Sequence, residues 1–276
     1  MAENSVHGAV DRATSTNAFE YAARAGYATS GVLHLLVGYI VARLALGGGG
    51  GASQNADQSG ALATVASSTG GAVTLWLAAV GLFGLAAWRL AETVVGSHPN
   101  EPGDEDKGAK KQLKRVKSLA LAIVYCGLAI SAIRFASGSG QSSGQKNAGM
   151  SAELMQSVWG KALLIIVGLV VIVIGGYHVY KGASEKFLDD LKTSGGSVVT
   201  PLGKVGYIAK GAVFAGAGLL VIIATVTADP AKASGIDAAV KALGEAPFGK
   251  FLLLAAALGF AAYGAFCFTM ARFARM

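Results

Sequence analysis

Residues Trp159 to Tyr180 read WGKALLIIVGLVVIVIGGYHVY, 22 positions whose only full charge is Lys161 near the first end. At about 1.5 Å rise per residue such a block crosses about 30 Å of hydrocarbon as an α-helix. It lacks the polar-apolar alternation of a barrel strand, and a backbone surrounded by lipid must satisfy its own hydrogen bonds, so helix is the expected form. Five further blocks of this kind run from Gly26 to Leu46, Ala72 to Val95, Ser118 to Ala136, Val205 to Ala228 and Phe248 to Arg272. Over 276 residues the chain is 53% hydrophobic and 14% charged, a balance that cannot clothe a water-soluble globule in polar surface. The fold class expected is therefore all-α, an integral membrane bundle of six helices.

The Lys and Arg residues set the expected orientation. Lys107, Lys110, Lys111, Lys114, Arg115 and Lys117 stand between spans two and three, and Lys181, Lys186, Lys192 and Lys204 between spans four and five. The opposite connections are poorer, and the first has no Lys or Arg between Leu44 and Leu75. Both termini are thus expected in the cytoplasm of a bacterial inner membrane. The net charge of +7 implies contact with anionic lipid headgroups; the basic residues flank spans and form no nucleic-acid motif, so no nucleic-acid partner is expected. The first 24 residues carry Glu3, Asp11, Arg12 and Glu20 without an apolar core, unlike a secretory signal. Glu101, Asp104, Glu105 and Asp106 followed by the lysine run read as a solvated loop whose basic half lies on headgroups, the alternative being a docking site for a charged cytoplasmic partner.

Internal spacing organises the chain further. Gly71, Gly160 and Gly249 recur every 89 residues, each opening an even-numbered span. Arg24, Gly26, Tyr27, Gly31 and Gly38 recur 180 residues later as Lys204, Gly206, Tyr207, Gly211 and Gly218. The middle copy matches Arg24 with Arg115 but has Ser118 where the tyrosine is due. Units that cross twice must all enter in the same direction, so three tandem parallel repeats with a pseudo-threefold arrangement are expected, and inverted-repeat transporter folds are disfavoured. The divisions are residues 1–24, an N-terminal cytoplasmic segment; 25–98, unit one; 99–117, a charged cytoplasmic loop; 118–186, unit two; 187–204, a second cytoplasmic loop; and 205–276, unit three. Before the last span Ile236, Ala239, Val240 and Leu243 share one helical face, with Asp237 and Lys241 off it, as an interfacial helix requires.

The motif RAGYATSG (Arg24 to Gly31), its echo KVGYIAKG (Lys204 to Gly211) and the even spans GLFGLAAWRL (Gly81 to Leu90) and GFAAYGAF (Gly259 to Phe266) resemble the domain of unknown function 1206 family. These are six-span bacterial membrane proteins, common in actinobacteria, with a short motif repeated three times. The resemblance runs from about Phe19 onward and departs in the middle copy, where the tyrosine and the first glycine are missing. It implies the topology and no activity.

Tyr27, Gly31, His34 and Gly38 fall on one face of span one, and the small residues there and at Ala212/Gly216 and Ala255/Gly259 suit close helix packing. Tyr27, Gly31, Gly38, Tyr207, Gly211, Gly218, Gly71, Gly160 and Gly249 are accordingly expected to pack helices. His34, near the bilayer midplane, is the sharpest candidate for chemistry: a histidine bonded to a neighbouring helix, a transport or proton-relay group, or a haem ligand. His178 is expected nearer the inner interface, at a different depth. Arg43 and Arg134, at equivalent outer ends, read as lipid anchors or as converging parts of an outward anion site with Thr225. Arg89 and Glu92 are placed to neutralise each other. Cys126 and Cys267 lie in spans and suggest no disulfide, no metal or cofactor is expected, and no catalytic motif occurs. With few ionisable groups in the spans, the leading expectation is a non-enzymatic accessory or scaffolding subunit of a larger membrane complex. The alternative is a small-solute or ion transporter or channel with a path between the repeats near His34.

Overall fold

The computed structural model describes residues 17–47, 55–95, 109–192 and 196–274. The Glu101 to Lys107 charge run and most of the Gly47 to Gly51 linker lie outside them. Six long helices are apolar enough to cross a membrane: α1 (Asn17–Ala45), α3 (Gly71–Val95), α4 (Ala109–Ala136), α6 (Val158–Ala183), α7 (Gly196–Thr227) and α9 (Gly249–Phe273). Three short ones, α2 (Gln58–Ala66), α5 (Ser143–Leu154) and α8 (Ile236–Glu245), each precede an even-numbered span. No strand occurs among the described residues, and one isolated bridge pairs Leu191 with Ala274. Segments expected as loops are partly helical, since α4 starts at Ala109 and α7 at Gly196. Lys110, Lys111, Gln112, Lys114 and Arg115 are good helix formers, so α4 continues past the apolar block that defines its span.

Neighbouring spans pack in the order α4, α3, α1, α9, α7, α6. The most extensive of these pairings join spans of successive repeats and close on the first and last: α3 with α4, α6 with α7, and α9 with α1. Small residues make them possible. A methyl group at Gly31 would come within 2.9 Å of the Gly264 carbonyl oxygen, one at Gly38 within 2.9 Å of Ala257 O, one at Gly211 within 2.5 Å of Gly175 O, and one at Gly218 within 2.6 Å of Gly168 O. Gly264 and Gly175, and likewise Ala257 and Gly168, are 89 residues apart, so the two seams are copies of one another. The third seam uses alanine at the same repeat positions: Ala79 and Ala86 on α3, Ala122 and Ala129 on α4, all buried. The Ala212/Gly216 pair makes no such seam: Ala212 is exposed, and a methyl on Gly216 would meet only Ala239 at ordinary contact distance.

The two remaining in-ring contacts, α1 with α3 and α7 with α9, also rest on glycine. A methyl on Gly26 would strike Gly81 O at 2.5 Å and Leu85 Cβ at 2.6 Å, and one on Gly206 would strike the Tyr263 backbone at 2.6 Å. In the middle repeat the corresponding helices, α4 and α6, make no extended contact. Lys117 occupies the Gly26/Gly206 position, and Val170 stands where the others have Gly81 and Gly259. The bundle is a threefold ring opened on one side.

At the end away from the termini the short helices fold over the bundle. Gly71, Gly160 and Gly249 sit at the corner where each short helix hands over to its span: a side chain there would collide with the carbonyl oxygen of Val65, Leu154 or Gly244. Side chains lock the three connections together. Asn55 Nδ2 donates to Ser142 Oγ at 2.7 Å, Ala56 N to Asp237 Oδ1 at 2.8 Å, and Ser143 N to Ser59 Oγ at 3.1 Å. Asp237, expected on the solvent side of an interfacial helix, is instead buried, because it accepts a hydrogen bond from the Ala56 N–H in the connection of another repeat. Asp57 is the N-cap of α2, accepting from Ser59 N, Ser59 Oγ and Gly60 N. Burial pushes its carboxyl above the usual range, against the pull of those bonds.

Gly211→Ala should destabilise the bundle, lowering its melting temperature in detergent by the equivalent of roughly 1–3 kcal/mol, while Gly176→Ala, whose methyl meets nothing within 4 Å, should not. Asp57→Ala should cost about 1 kcal/mol through loss of the cap. Asp57→Asn keeps an acceptor and removes a charge that is penalised above the raised pKa, so its melting temperature near neutral pH should equal or exceed the parent's, with the advantage shrinking as the solution is acidified.

Candidate functional site

Between the repeats, nearer the end that carries the termini, lies a layer of polar and aromatic side chains. Its even-helix members, Arg89, His178 and Cys267, stand 89 residues apart, one per repeat. On the odd helices His34, Tyr125 and Phe214 occupy equivalent positions, 91 and 89 residues apart. One rotational position in the fold has thus been filled with different chemistry in each copy.

His34 is 6% exposed. Its Nδ1 lies 2.7 Å from the Ser30 carbonyl oxygen, which can only accept, so Nδ1 carries the proton and Nε2 presents a lone pair. Nε2 is buried and has no hydrogen-bond partner among the described residues. The ring packs against Tyr263 (4.7 Å between centroids) and Phe260 (6.4 Å) of α9. Lys210 of α7 reaches the same tyrosine from its own helix: Nζ lies 3.9 Å from the Tyr263 centroid and 5.5 Å from that of Phe214. No carboxylate pairs with it among the described residues, and it rests on these two aromatic faces. Cation-π contact of this kind returns about 1–2 kcal/mol, well short of the cost of holding a lone ammonium in a span. His178 meets Phe214 at 5.8 Å and Tyr207 at 5.9 Å, and Tyr207 meets Tyr263 at 5.2 Å. His34 and His178, expected at different depths, therefore border one continuous aromatic cluster about Lys210. Cys267 Sγ stands 3.9 Å from Ser30 Oγ beside it.

Arg89 differs from Lys210 in having a carboxylate partner, although its buried Nε finds no hydrogen-bond acceptor among the described residues. Its guanidinium donates to Glu92 at 2.7 Å and to the Tyr27 hydroxyl at 2.7 Å, and Glu92 also accepts from Trp88 Nε1 and Ser118 Oγ. Ser118, which replaces the motif tyrosine in the middle repeat, is thereby a ligand of this ion pair. Among the described residues no group of three or more His, Cys, Asp or Glu is placed to hold a metal ion. Arg43 and Arg134 are both exposed, Arg43 beside the ring of Tyr39, whereas Thr225 is buried and donates to Val221 O.

Both ends of the interior are filled. On the side of the termini Phe187, from the 3₁₀ turn Lys186–Asp190, is wholly buried, stacked on Tyr207 at 5.5 Å and edge-on to Phe266 at 5.2 Å. Lys181 is held there by Asp190, and Arg24 ties α1 to the end of α9 through the carbonyls of Ala271 and Arg272. At the other end Val37, Val41, Leu62, Leu75 and Val240 form an apolar plug beneath the short helices.

Family comparison accounts for the regularity. The family model described as Domain of Unknown Function (DUF1206) matches three times, over residues 25–96, 116–185 and 205–274. The chain belongs to this DUF1206 family. A relative, "Uncharacterized protein YxxB" of Bacillus subtilis (strain 168), is 28% identical over 246 residues, covering 87% of this chain and 86% of that one. No solved structure matches. In this DUF1206 chain the residue that sequence reasoning passed over is Lys210. A lysine six positions beyond Lys204 and inside the span was the available signal, masked by the habit of assigning lysines to span ends.

Arg89→Met should strand the Glu92 carboxylate and destabilise the protein by roughly 3 kcal/mol. The double substitution Arg89→Met, Glu92→Gln should recover most of the loss in a thermal melt.

Proposed function

We propose that this DUF1206 protein binds a small carboxyl-bearing solute between its repeats and passes it through the membrane, without chemical conversion. Lys210 carries the reading. A single ammonium within a span, resting on aromatic faces with no carboxylate beside it, is stabilised when an anion arrives. His34 adds the complementary property, since its Nε2 lone pair accepts a hydrogen bond against the same tyrosine. A carboxyl group suits both, presenting an O–H to the imidazole when protonated and a monoanion to Lys210 when not. The accessory-subunit reading drew on spans almost free of ionisable groups, and Lys210, His34, His178 and the Arg89–Glu92 pair weaken that premise.

In this proposal the protein is a multi-pass protein of the bacterial inner membrane, with both termini and the lysine-rich connections on the cytoplasmic side against anionic lipid. Its filled ends require the Phe187 plug and the apolar plug to yield in turn, as alternating access demands.

Proteoliposomes holding the full chain should take up radiolabelled monocarboxylates faster than empty vesicles. Lys210→Met should reduce the rate by about tenfold or more, and His34→Ala should lower it as well. Equal uptake by parent and Lys210→Met vesicles, or none by the parent over a broad panel of carboxylates, would overturn the proposal.

A further inference from the structure

The interior is filled at both ends but has an unfilled side. In two of the three repeats the helices of one unit pack against each other through glycine, and Leu85 and Gly81 on α3, like Gly259 on α9, are buried there. The equivalents in the middle repeat, Val170 and Ile174 on α6, are 51% and 42% exposed. Facing positions on α4 behave alike: Ala120 and Val124 are exposed, and a methyl on Gly127 would meet nothing within 4 Å. The two helices approach only toward the end that carries the termini, where Lys117 Nζ lies 5.8 Å from the Tyr177 ring centroid. A cleft walled by valine, isoleucine and alanine thus runs alongside the polar layer that holds His178 and Lys210, and it faces hydrocarbon.

From this geometry we infer that the ligand is a long-chain monocarboxylate that enters sideways from the bilayer, its head at Lys210 and His34 and its tail in the α4/α6 cleft. The inference deepens the carboxyl-binding proposal and rests on it. Charge complementarity fixes the head: Arg89 is neutralised by Glu92 and Lys181 by Asp190, whereas Lys210, set against the interior ring of Tyr263, has no carboxylate partner among the described residues and matches one negative charge. Continuity with lipid fixes the tail, because every cleft residue named above Lys117 is apolar. A long-chain acid can cross the cleft as the neutral carboxylic acid and hand its proton to the His34 Nε2 lone pair once its head lies beside Lys210, so no charge traverses hydrocarbon.

The test uses the full chain in lipid nanodiscs and a long-chain fatty acid carrying a diazirine at mid-chain, with adducts mapped by peptide mass spectrometry. Adducts should concentrate on residues 116–127 and 167–177. Unlabelled fatty acid should compete, its methyl ester and acetate should not, Lys210→Arg should retain labelling, and Lys210→Met should lose about tenfold or more. A second variant, Lys117→Gly with Val170→Gly, restores the glycines of the other repeats; it should close the cleft and cut labelling while leaving the melting temperature equal or higher. Adducts spread evenly over all six spans and indifferent to Lys210→Met, or equal competition by the methyl ester, would overturn the inference. Acetate competition with uptake of short carboxylates and no cleft adducts would overturn it too, yet leave the carboxyl site of the preceding section standing.

Discussion

Close approach of helix backbones at residues without side chains is the constraint from which the architecture follows. Lipid offers no hydrophobic gain for bringing apolar helices together, so contact must come from packing at short range. Gly31 against Gly264 and Gly211 against Gly175 supply it, and Ala122 with Ala86 supplies a looser version. Because these pairs join spans of successive repeats, and the last repeat to the first, a two-helix unit is not a self-sufficient body: α4 finds its tightest partner in α3, and α1 in α9. Loss of one seam would leave the remaining two without the geometry that closes them.

Repetition leaves room for divergence within that frame. Where packing tolerance is small, the copies agree: Gly71, Gly160 and Gly249 all meet a carbonyl oxygen that forbids a side chain. Facing the interior, the tolerance is wider, and equivalent positions hold Arg89, His178 and Cys267. The arginine has been absorbed into a local network with Glu92, Tyr27, Trp88 and Ser118, whereas Lys210 has acquired aromatic neighbours and, among the described residues, no counter-ion. Asymmetry at the centre of a threefold body is what a binding site for a small, unsymmetrical molecule requires.

Spans, repeat boundaries and the motif glycines were legible because each is a short-range property: hydropathy over one helix length, or a glycine at a fixed interval. The seams were half legible. Gly31 and Gly38 could be read as a packing face, but their partners, Gly264 and Ala257, lie at the far end of the chain and no local pattern names them. Asp237 was read outward because amphipathicity ranks a carboxylate as polar without knowing that Ala56 N, from another repeat, needs an acceptor. His34 and His178 were placed by counting along separate helices, which cannot show that both border the aromatic cluster about Lys210. Lys210 was visible in the sequence, and its importance depends on what it lacks, which only the three-dimensional neighbourhood reveals.

The middle repeat shows how a small sequence change becomes architecture. Substituting Lys117 for the first motif glycine and Val170 for its partner introduces side chains where two backbones would otherwise touch. A ridge of one or two side chains is enough to part helices whose neighbours are held at glycine distance, since packed interfaces have little slack. The α3/α4 and α6/α7 seams survive on either side, so the ring opens at one line and nowhere else. Degeneration of the motif there and the loss of its tyrosine are then parts of one event: Ser118 turns to the Arg89–Glu92 pair, the aromatic wall ends, and the polar layer gains a side that meets lipid.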